Sequence, residues 1–159
     1  MSDAVSTEEL RELYRELILD HARSPRHFGK LDGMTHHADG INPLCGDKLN
    51  VYFKVSPDGL IQDTRFEGSG CAISVASASL LADTVTGMTV DDALEFFAAV
   101  IARLTIGNGV TDSDDTPDIG KLRALEGVKE FPSRVKCATL AWHAMDTALR
   151  RQDTTVSTE

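Results

Sequence analysis

A β-hairpin pattern in residues 49–67 constrains the fold of this chain most. Hydrophobic side chains occupy every second position of its first strand, at Leu49, Val51, Phe53 and Val55. This alternation predicts a strand with one buried face. The Pro-Asp-Gly sequence at 57–59 is a turn signal, and residues 60–67 predict the returning strand. Because the connection is so short, the two strands must run antiparallel. A further short strand is expected near residues 34–38.

An amphipathic helix is predicted before this sheet. Ser6 and Glu9 have the spacing of a capping box, in which each side chain bonds the other residue's backbone N–H. Apolar residues then recur at helical spacing, at Leu10, Leu13, Tyr14, Leu17 and Ile18. Pro25 ends the helix, because the residue before a proline avoids helical geometry.

Further helices are predicted after the sheet. A run of small residues over 71–85 favours a helix that packs closely on a sheet. Thr89 is placed to cap a helix over 90–104. The apolar face of that helix consists of Leu94, Phe97, Ile101 and Leu104. Ser133 is placed to cap a last helix over 134–151.

The order of these elements predicts an α+β fold, in which helices pack on one face of a small, about three-stranded antiparallel sheet. An acidic loop over 106–120 and a short helical turn over 122–125 are expected between the last two helices. The length of 159 residues suits a single domain, which we expect to span 1–159 with a polar, frayed tail over 152–159. A domain of this size buries about two-thirds of its unfolded surface, so its core needs no disulfide.

Acidic residues outnumber basic ones in this chain. Its 16 Lys and Arg side chains against 25 Asp and Glu give a net charge of −9. Such a chain lacks the positive surface that binds nucleic acid and is repelled by anionic lipid, but it can dock on a basic patch of a protein partner. The longest uncharged stretch, residues 68–82, is too short and too polar to span a bilayer. The polar N-terminus does not resemble a targeting peptide, so we expect a cytoplasmic protein.

The three cysteines, Cys45, Cys71 and Cys137, are a poor disulfide framework and suit a reducing compartment. Cys45 lies in a loop flanked by proline and glycine, whereas Cys71 and Cys137 are expected in first turns of helices, where the helix dipole favours an anionic thiolate. Basic residues add positive charge nearby, at Lys48, Arg134 and Lys136. Spacing alone leaves two interpretations open: a shared site for metal or sulfur chemistry, or inert hydrophobic residues, which is credible for Cys71.

The residues around the cysteines carry a family resemblance. The motifs are CGD at 45–47, GSGCAIS at 68–74 with ASAS at 76–79, and RVKCATL at 134–140. Together and in this order they resemble the U-type iron–sulfur cluster assembly proteins, the NifU/IscU-like family, over roughly residues 10–149. The chain is most similar to the SufU branch, because Lys136 stands where IscU-type proteins have a histidine and because the stretch between the second and third cysteines is extended.

The resemblance implies a metal site formed by Cys45, Asp47, Cys71 and Cys137. Zinc takes four ligands of this kind, thiolates and a carboxylate, in tetrahedral geometry. The donor set leaves excess negative charge, which Arg134 and Lys136 are placed to offset. Without the resemblance, Asp47 would be interpreted as a strand-entry residue that bonds its own backbone.

The mechanism implied by the resemblance is zinc-dependent sulfur transfer. A SufS-type cysteine desulfurase presents a persulfide, and one of its histidines takes a place on the zinc and releases Cys45. Cys45 then attacks the terminal sulfur, which moves on to a downstream cluster scaffold protein. Arg134 is expected to orient Cys45 or the partner. Two alternatives stay open: a scaffold that assembles a [2Fe–2S] cluster on the same cysteines, and a non-catalytic zinc domain that only binds partners.

Other residues with metal- or phosphate-binding chemistry give weaker signals. The five histidines lack metal-ligand spacing, and His36 and His37 are expected to form a pair in a surface loop. The aspartate-rich residues 112–115 lack the glycine and distal glutamate of a calcium loop. Residues 107–109, Gly-Asn-Gly, are too few for a phosphate-binding loop.

Overall fold

The fold consists of one sheet with helices packed on it, in a computed structural model that describes residues 7–43, 46–105, 120–130, 132–150 and 155–157. Strands β1 to β4 are His36–Asn42, Asp47–Val55, Ile61–Ser69 and Thr155–Ser157. Helices α1 to α4 are Thr7–Arg23, Ala72–Val85, Val90–Thr105 and Pro132–Leu149, and a 3₁₀ helix, Gly120–Glu130, precedes α4. The sheet order is β3-β2-β1-β4, with β1, β2 and β3 antiparallel. The predicted α+β fold is confirmed. None of the described helices is long and apolar enough to cross a membrane.

The predicted hairpin forms strands β2 and β3, with β3 at one edge of the sheet. Leu49, Val51 and Phe53 of β2 are each at most 1% exposed, so the alternation in the sequence does mark a buried face. The turn holds Gly59 in the left-handed region, with φ of 86°, which costs glycine little. The chain then returns as β3, with a register shift at Lys54/Val55 near the turn and Val51 opposite Phe66 further along.

Helices α2 and α4 cover the buried face of the sheet. Small residues permit their close approach: a Cβ at Gly40 of β1 would lie 3.0 Å from the Leu140 side chain of α4. Between the two helices, the buried Trp142 donates its indole N–H to Ser77 Oγ at 3.1 Å, and Ser77 donates to the Ala138 carbonyl at 2.6 Å. These hydrogen bonds satisfy polar groups inside the core, and the small-residue helix packs on the sheet as predicted.

Local signals set the ends of α1 and α3. α1 ends at Arg23, as the following proline predicts, and its predicted cap, Ser6, lies outside the described residues. Thr89 Oγ1 accepts the backbone N–H of Asp92 at 3.1 Å and therefore caps α3 as predicted. The predicted apolar face of α3 packs on the core through Leu94, Phe97, Ile101 and Leu104.

Helix α4 begins earlier than predicted. Pro132 is its first residue, because the fixed φ and missing N–H of proline suit the first helical position. Ser133 is therefore the second residue of α4 rather than its cap. Cys137 is the sixth residue and lies in the second turn, not the first. The helix dipole contributes less to Cys137 than predicted, because its effect falls off within the first turn.

The edge of the sheet also differs from prediction. β1 is His36–Asn42 rather than residues 34–38, so His36 and His37 are strand residues and the expected loop pair is wrong. The frayed-tail prediction is wrong for Thr155–Ser157, which pair in parallel with residues 39–41 of β1. The helical turn at 122–125 lies within the 3₁₀ helix, and residues 106–119 of the predicted acidic loop lie outside the described residues.

Candidate metal centre

Asp47 is the first residue of β2 and is buried, with 1% of its surface exposed. Its Oδ1 accepts the backbone N–H of Cys71 at 2.8 Å, and its Oδ2 accepts the side-chain amide of Asn42 at 3.1 Å. The approach of Cys71 depends on Gly70, since a Cβ there would lie 2.6 Å from Asp47 Oδ1. Asp47 therefore does more than bond the backbone at the start of its own strand. Its side chain accepts a hydrogen bond from Cys71, which lies far away in the sequence.

Cys71 is the N-cap residue of α2. Its Sγ accepts the backbone N–H of Ser74 at 3.5 Å, which fixes the side chain at the start of the helix. Cys71 is partly exposed, and neither it nor Cys137 is in a disulfide. The sequence prediction that Cys71 lies at a helix start is confirmed.

Cys137 is fully buried on α4. Its Sγ lies 3.4 Å from the Asn42 side-chain amide nitrogen, which donates to it, and 3.6 Å from the Ser133 carbonyl. The Ser74 hydroxyl donates to the Cys137 carbonyl at 3.2 Å and so ties the start of α2 to α4. This contact holds the segments that carry the second and third cysteines against each other.

Asp47, Cys71 and Cys137 converge into one group. One carboxylate oxygen and the two Sγ atoms all lie within 4.8 Å of one another. Within the ranges that the structure describes, this is the one group of three or more such side chains with that spacing. Two thiolates and a carboxylate are ligands that zinc accepts, and a fourth ligand would complete a tetrahedral site. Cys45, the predicted fourth ligand, lies outside the described residues.

The hydrogen bonds around Asp47 favour its ionised form. Burial alone would raise the pKa of the carboxyl group. The backbone N–H of Cys71 and the side chains of Cys137, Ser74 and Asn42 outweigh this effect, and they hold the pKa of Asp47 below its usual value. The buried carboxylate is thus charged and ready to bind a cation near neutral pH.

Sequence comparison establishes the family. The family described as NifU-like N terminal domain matches residues 13–150. The chain belongs to this family. This match confirms the family resemblance that the three cysteine motifs indicate.

The relatives of this NifU-like chain include proteins of both branches. "Zinc-dependent sulfurtransferase SufU" of Bacillus subtilis (strain 168) is 37% identical over 144 residues, 91% of this chain and 94% of the relative. "Iron-sulfur cluster assembly scaffold protein IscU" of Streptococcus pyogenes serotype M1 is 36% identical over 143 residues, 90% of this chain and 86% of the relative. A solved iron–sulfur cluster assembly scaffold structure of the SUF system, from Fervidobacterium islandicum AW-1, has a TM-score of 0.76 at 31% identity and covers 87% of this chain and 98% of its own.

The three basic residues predicted near the thiols, Lys48, Arg134 and Lys136, differ in position and in exposure. Arg134 is exposed in the first turn of α4, three residues before Cys137, and Lys136 is partly exposed. Lys48 follows Asp47 in β2, and because side chains alternate along a strand, it leaves the sheet on the opposite, exposed face. That Lys48 adds charge at the thiols stays a prediction.

The described histidines are not part of the group formed by Asp47, Cys71 and Cys137. His21 is buried between helices, with Nδ1 2.7 Å from Ser79 Oγ, and burial lowers its pKa.

Two residues of the site, Asn42 and Ser74, were missed by the sequence analysis. Asn42 stands directly before Pro43 and opposite Asp47 in the β1–β2 register, and that hairpin position is the signal that points to it.

We expect the two described thiols to differ in reactivity. In the metal-free folded chain, iodoacetamide should modify Cys71 at least roughly tenfold faster than Cys137, since the buried Cys137 is reached only after local opening. Peptide mass spectrometry at timed quench points measures both rates. In urea the two rates should converge. Equal rates in the folded chain would contradict the buried placement of Cys137.

Proposed function

We propose that this chain is a zinc-dependent sulfurtransferase, which accepts persulfide sulfur from a cysteine desulfurase and passes it on for iron–sulfur cluster assembly. The convergence of Asp47, Cys71 and Cys137 within 4.8 Å carries this proposal, because it provides most of a zinc site beside the motif that contains Cys45. The name of the Bacillus subtilis relative, which matches over 91% of this chain, supports the same activity.

The donor set fits zinc. Cys45, Asp47, Cys71 and Cys137 would hold the ion, with three sulfur ligands and one oxygen ligand. Bound zinc keeps its ligand thiols deprotonated near neutral pH. The core has its own large apolar cluster, which includes the buried Trp142 and Phe53. We therefore assign the site to chemistry rather than to bulk stability.

Cys45 is the proposed nucleophile. It lies in the connection between β1, which ends at Asn42, and β2, which begins at Asp47. Its thiolate attacks the terminal sulfur of the desulfurase persulfide. A new S–S bond forms at Cys45, the S–S bond of the donor breaks, and the desulfurase cysteine leaves as a thiolate. The transferred sulfur keeps its oxidation state, so the step needs no oxidant.

The proposed partners are a SufS-type cysteine desulfurase and a downstream scaffold protein that receives the sulfur. The exposed Arg134, in the first turn of α4, is proposed to orient the desulfurase or Cys45. The net charge of −9 favours docking on a basic protein surface over binding to nucleic acid.

A second candidate is a scaffold on which a [2Fe–2S] cluster assembles. The scaffold names of several relatives favour it, and the same thiolates bind iron. Lys136 argues against it, because this position then lacks the histidine that IscU-type proteins carry next to the third cysteine.

Metal content and desulfurase stimulation test the proposal together. We expect aerobically purified protein to hold zinc at close to one equivalent and to stimulate a SufS-type desulfurase. Cys45→Ala should reduce the rate to that of the desulfurase alone, because the acceptor thiol is gone. Mass spectrometry of the wild-type chain should locate one added sulfur on Cys45.

Two results would contradict the proposal, and each would support a different alternative. A brown protein with visible absorbance and no zinc would contradict zinc-dependent transfer and favour the scaffold. Zinc without stimulation of the desulfurase would leave only a partner-binding zinc domain.

A further inference from the structure

Asn42 links two of the three described metal-ligand residues. It is the last residue of β1, is fully buried, and pairs with Asp47 across the hairpin. Its side-chain NH₂ group donates to Asp47 Oδ2 at 3.1 Å and to Cys137 Sγ at 3.4 Å. These acceptors come from strand β2 and helix α4, so a single amide joins segments that lie far apart in the sequence.

The orientation of this amide is fixed by its two acceptors. If the amide were turned over, its oxygen would face the carboxylate and the sulfur, both of which are acceptors. In the observed orientation the oxygen, Asn42 Oδ1, is buried and has no hydrogen-bond partner among the described residues. Leaving a buried acceptor unpaired lowers stability. The unpaired oxygen therefore offsets part of the stability that the two donated hydrogen bonds contribute.

The chemistry of a metal site gives the amide a further role. The proposed ligands carry more negative charge than a divalent ion neutralises, and donors to the ligand atoms offset the excess. An amide donates hydrogen bonds without adding charge, and unlike a lysine it does not compete with the metal by repulsion. Asn42 can thus hold a carboxylate and a thiolate side by side before the ion arrives.

We propose that Asn42 is a positioning residue of the metal centre, which sets the placement of Asp47 and Cys137 and donates to both while the metal is bound. This inference rests on the proposed metal site and adds to it a residue outside the ligand set. It predicts that the loss of the amide weakens metal binding while the chain stays folded.

Asn42→Leu tests this, since leucine branches at the same carbon as asparagine but cannot donate. We expect zinc affinity, measured by competition with a chelating dye, to fall about 10- to 100-fold. We expect the metal-free chain to stay folded with a lower urea midpoint, because Asp47 and Cys137 lose a donor and removal of the unpaired oxygen offsets only part of that loss. In the cobalt-substituted chain, the thiolate-to-cobalt band should move to longer wavelength, because a sulfur without its hydrogen bond gives up electron density more easily.

Thr64→Val is the matched control. Thr64 is also buried, and its hydroxyl likewise has no partner in the described part of the chain, but it lies on β3 outside the ligand group. This variant should keep wild-type zinc affinity and the wild-type cobalt spectrum. Asn42→Thr, which keeps one hydroxyl donor and suits a strand, should fall between wild type and Asn42→Leu and serves if the leucine variant does not fold.

The outcomes separate the inference from the function that it extends. If Asn42→Leu and Asn42→Thr bind zinc and cobalt as the wild type does, Asn42 does not position the ligands, even where sulfur transfer is intact. If the wild-type chain binds neither ion, the inference and the zinc-dependent function fall together.

Discussion

Replacing Asp47 with alanine is expected to lower zinc affinity by more than about 100-fold while the chain stays folded. Asp47 is the one oxygen ligand of the proposed site and lies within 4.8 Å of both described thiols. Loss of a residue that hydrogen-bonds to a ligand already weakens metal binding by about 10–100-fold in typical sites. Loss of the ligand itself should weaken binding more. Desulfurase stimulation should fall with the zinc content.

The fold should survive the substitution with reduced stability. Asp47→Ala leaves the Cys71 backbone N–H and the Asn42 amide without this acceptor, at about 1–3 kcal/mol each. Removing a buried carboxylate offsets part of that loss, because its desolvation is no longer required. The apolar cluster under the sheet does not include Asp47. Far-UV circular dichroism and a cooperative urea transition would show that the chain remains native.

Asp63→Ala is the control for this prediction. Asp63 is a partly exposed carboxylate on β3, 3.7 Å from Arg65, and it lies outside the ligand group. Exposed ion pairs of this kind contribute little, so zinc content and stability should match the wild type. If Asp47→Ala loses all tertiary structure while Asp63→Ala does not, the carboxylate serves the fold before it serves the metal.

The parts of the fold that local sequence determines were predicted well. The alternation at Leu49, Val51 and Phe53 reports directly on which side of β2 is buried, because side chains alternate along any strand. Cys71 was placed correctly at a helix start, since the glycines before it and the small residues after it are local signals. The ligand set itself came from the family resemblance and not from spacing.

The parts that depend on tertiary contacts were missed or misplaced. Asn42 contacts Cys137 across 95 positions of the sequence, and no local pattern encodes that pairing. Thr155–Ser157 form a strand only because the β1 edge offers backbone partners. The start of α4 was misplaced because a serine cap and a proline at the first helical position are both valid signals, one residue apart, and the proline prevails.

Gly68→Ala is expected to destabilise the folded chain by about 3 kcal/mol or more. Gly68 has φ of 126°, a region that other residues rarely adopt. A Cβ there would clash with the Lys48 carbonyl oxygen and lie 2.9 Å from Leu49 Cα. Both contacts are backbone atoms of the paired strand β2, so no rotamer change relieves them. Strands β2 and β3 would have to separate where the fully buried Leu49 enters the core.

Gly29→Ala separates this clash from backbone strain. Gly29 has nearly the same φ, 127°, but a Cβ there meets no described atom within 4 Å. It should therefore show the strain alone, about 1–2 kcal/mol, in urea unfolding of the metal-free chains. Equal losses for the two variants would refute the clash. The close contact of Gly68 with β2 lies just before the segment that brings Cys71 to Asp47. The folded fraction of Gly68→Ala should therefore also bind zinc more weakly. Gly29→Ala should bind zinc as the wild type does.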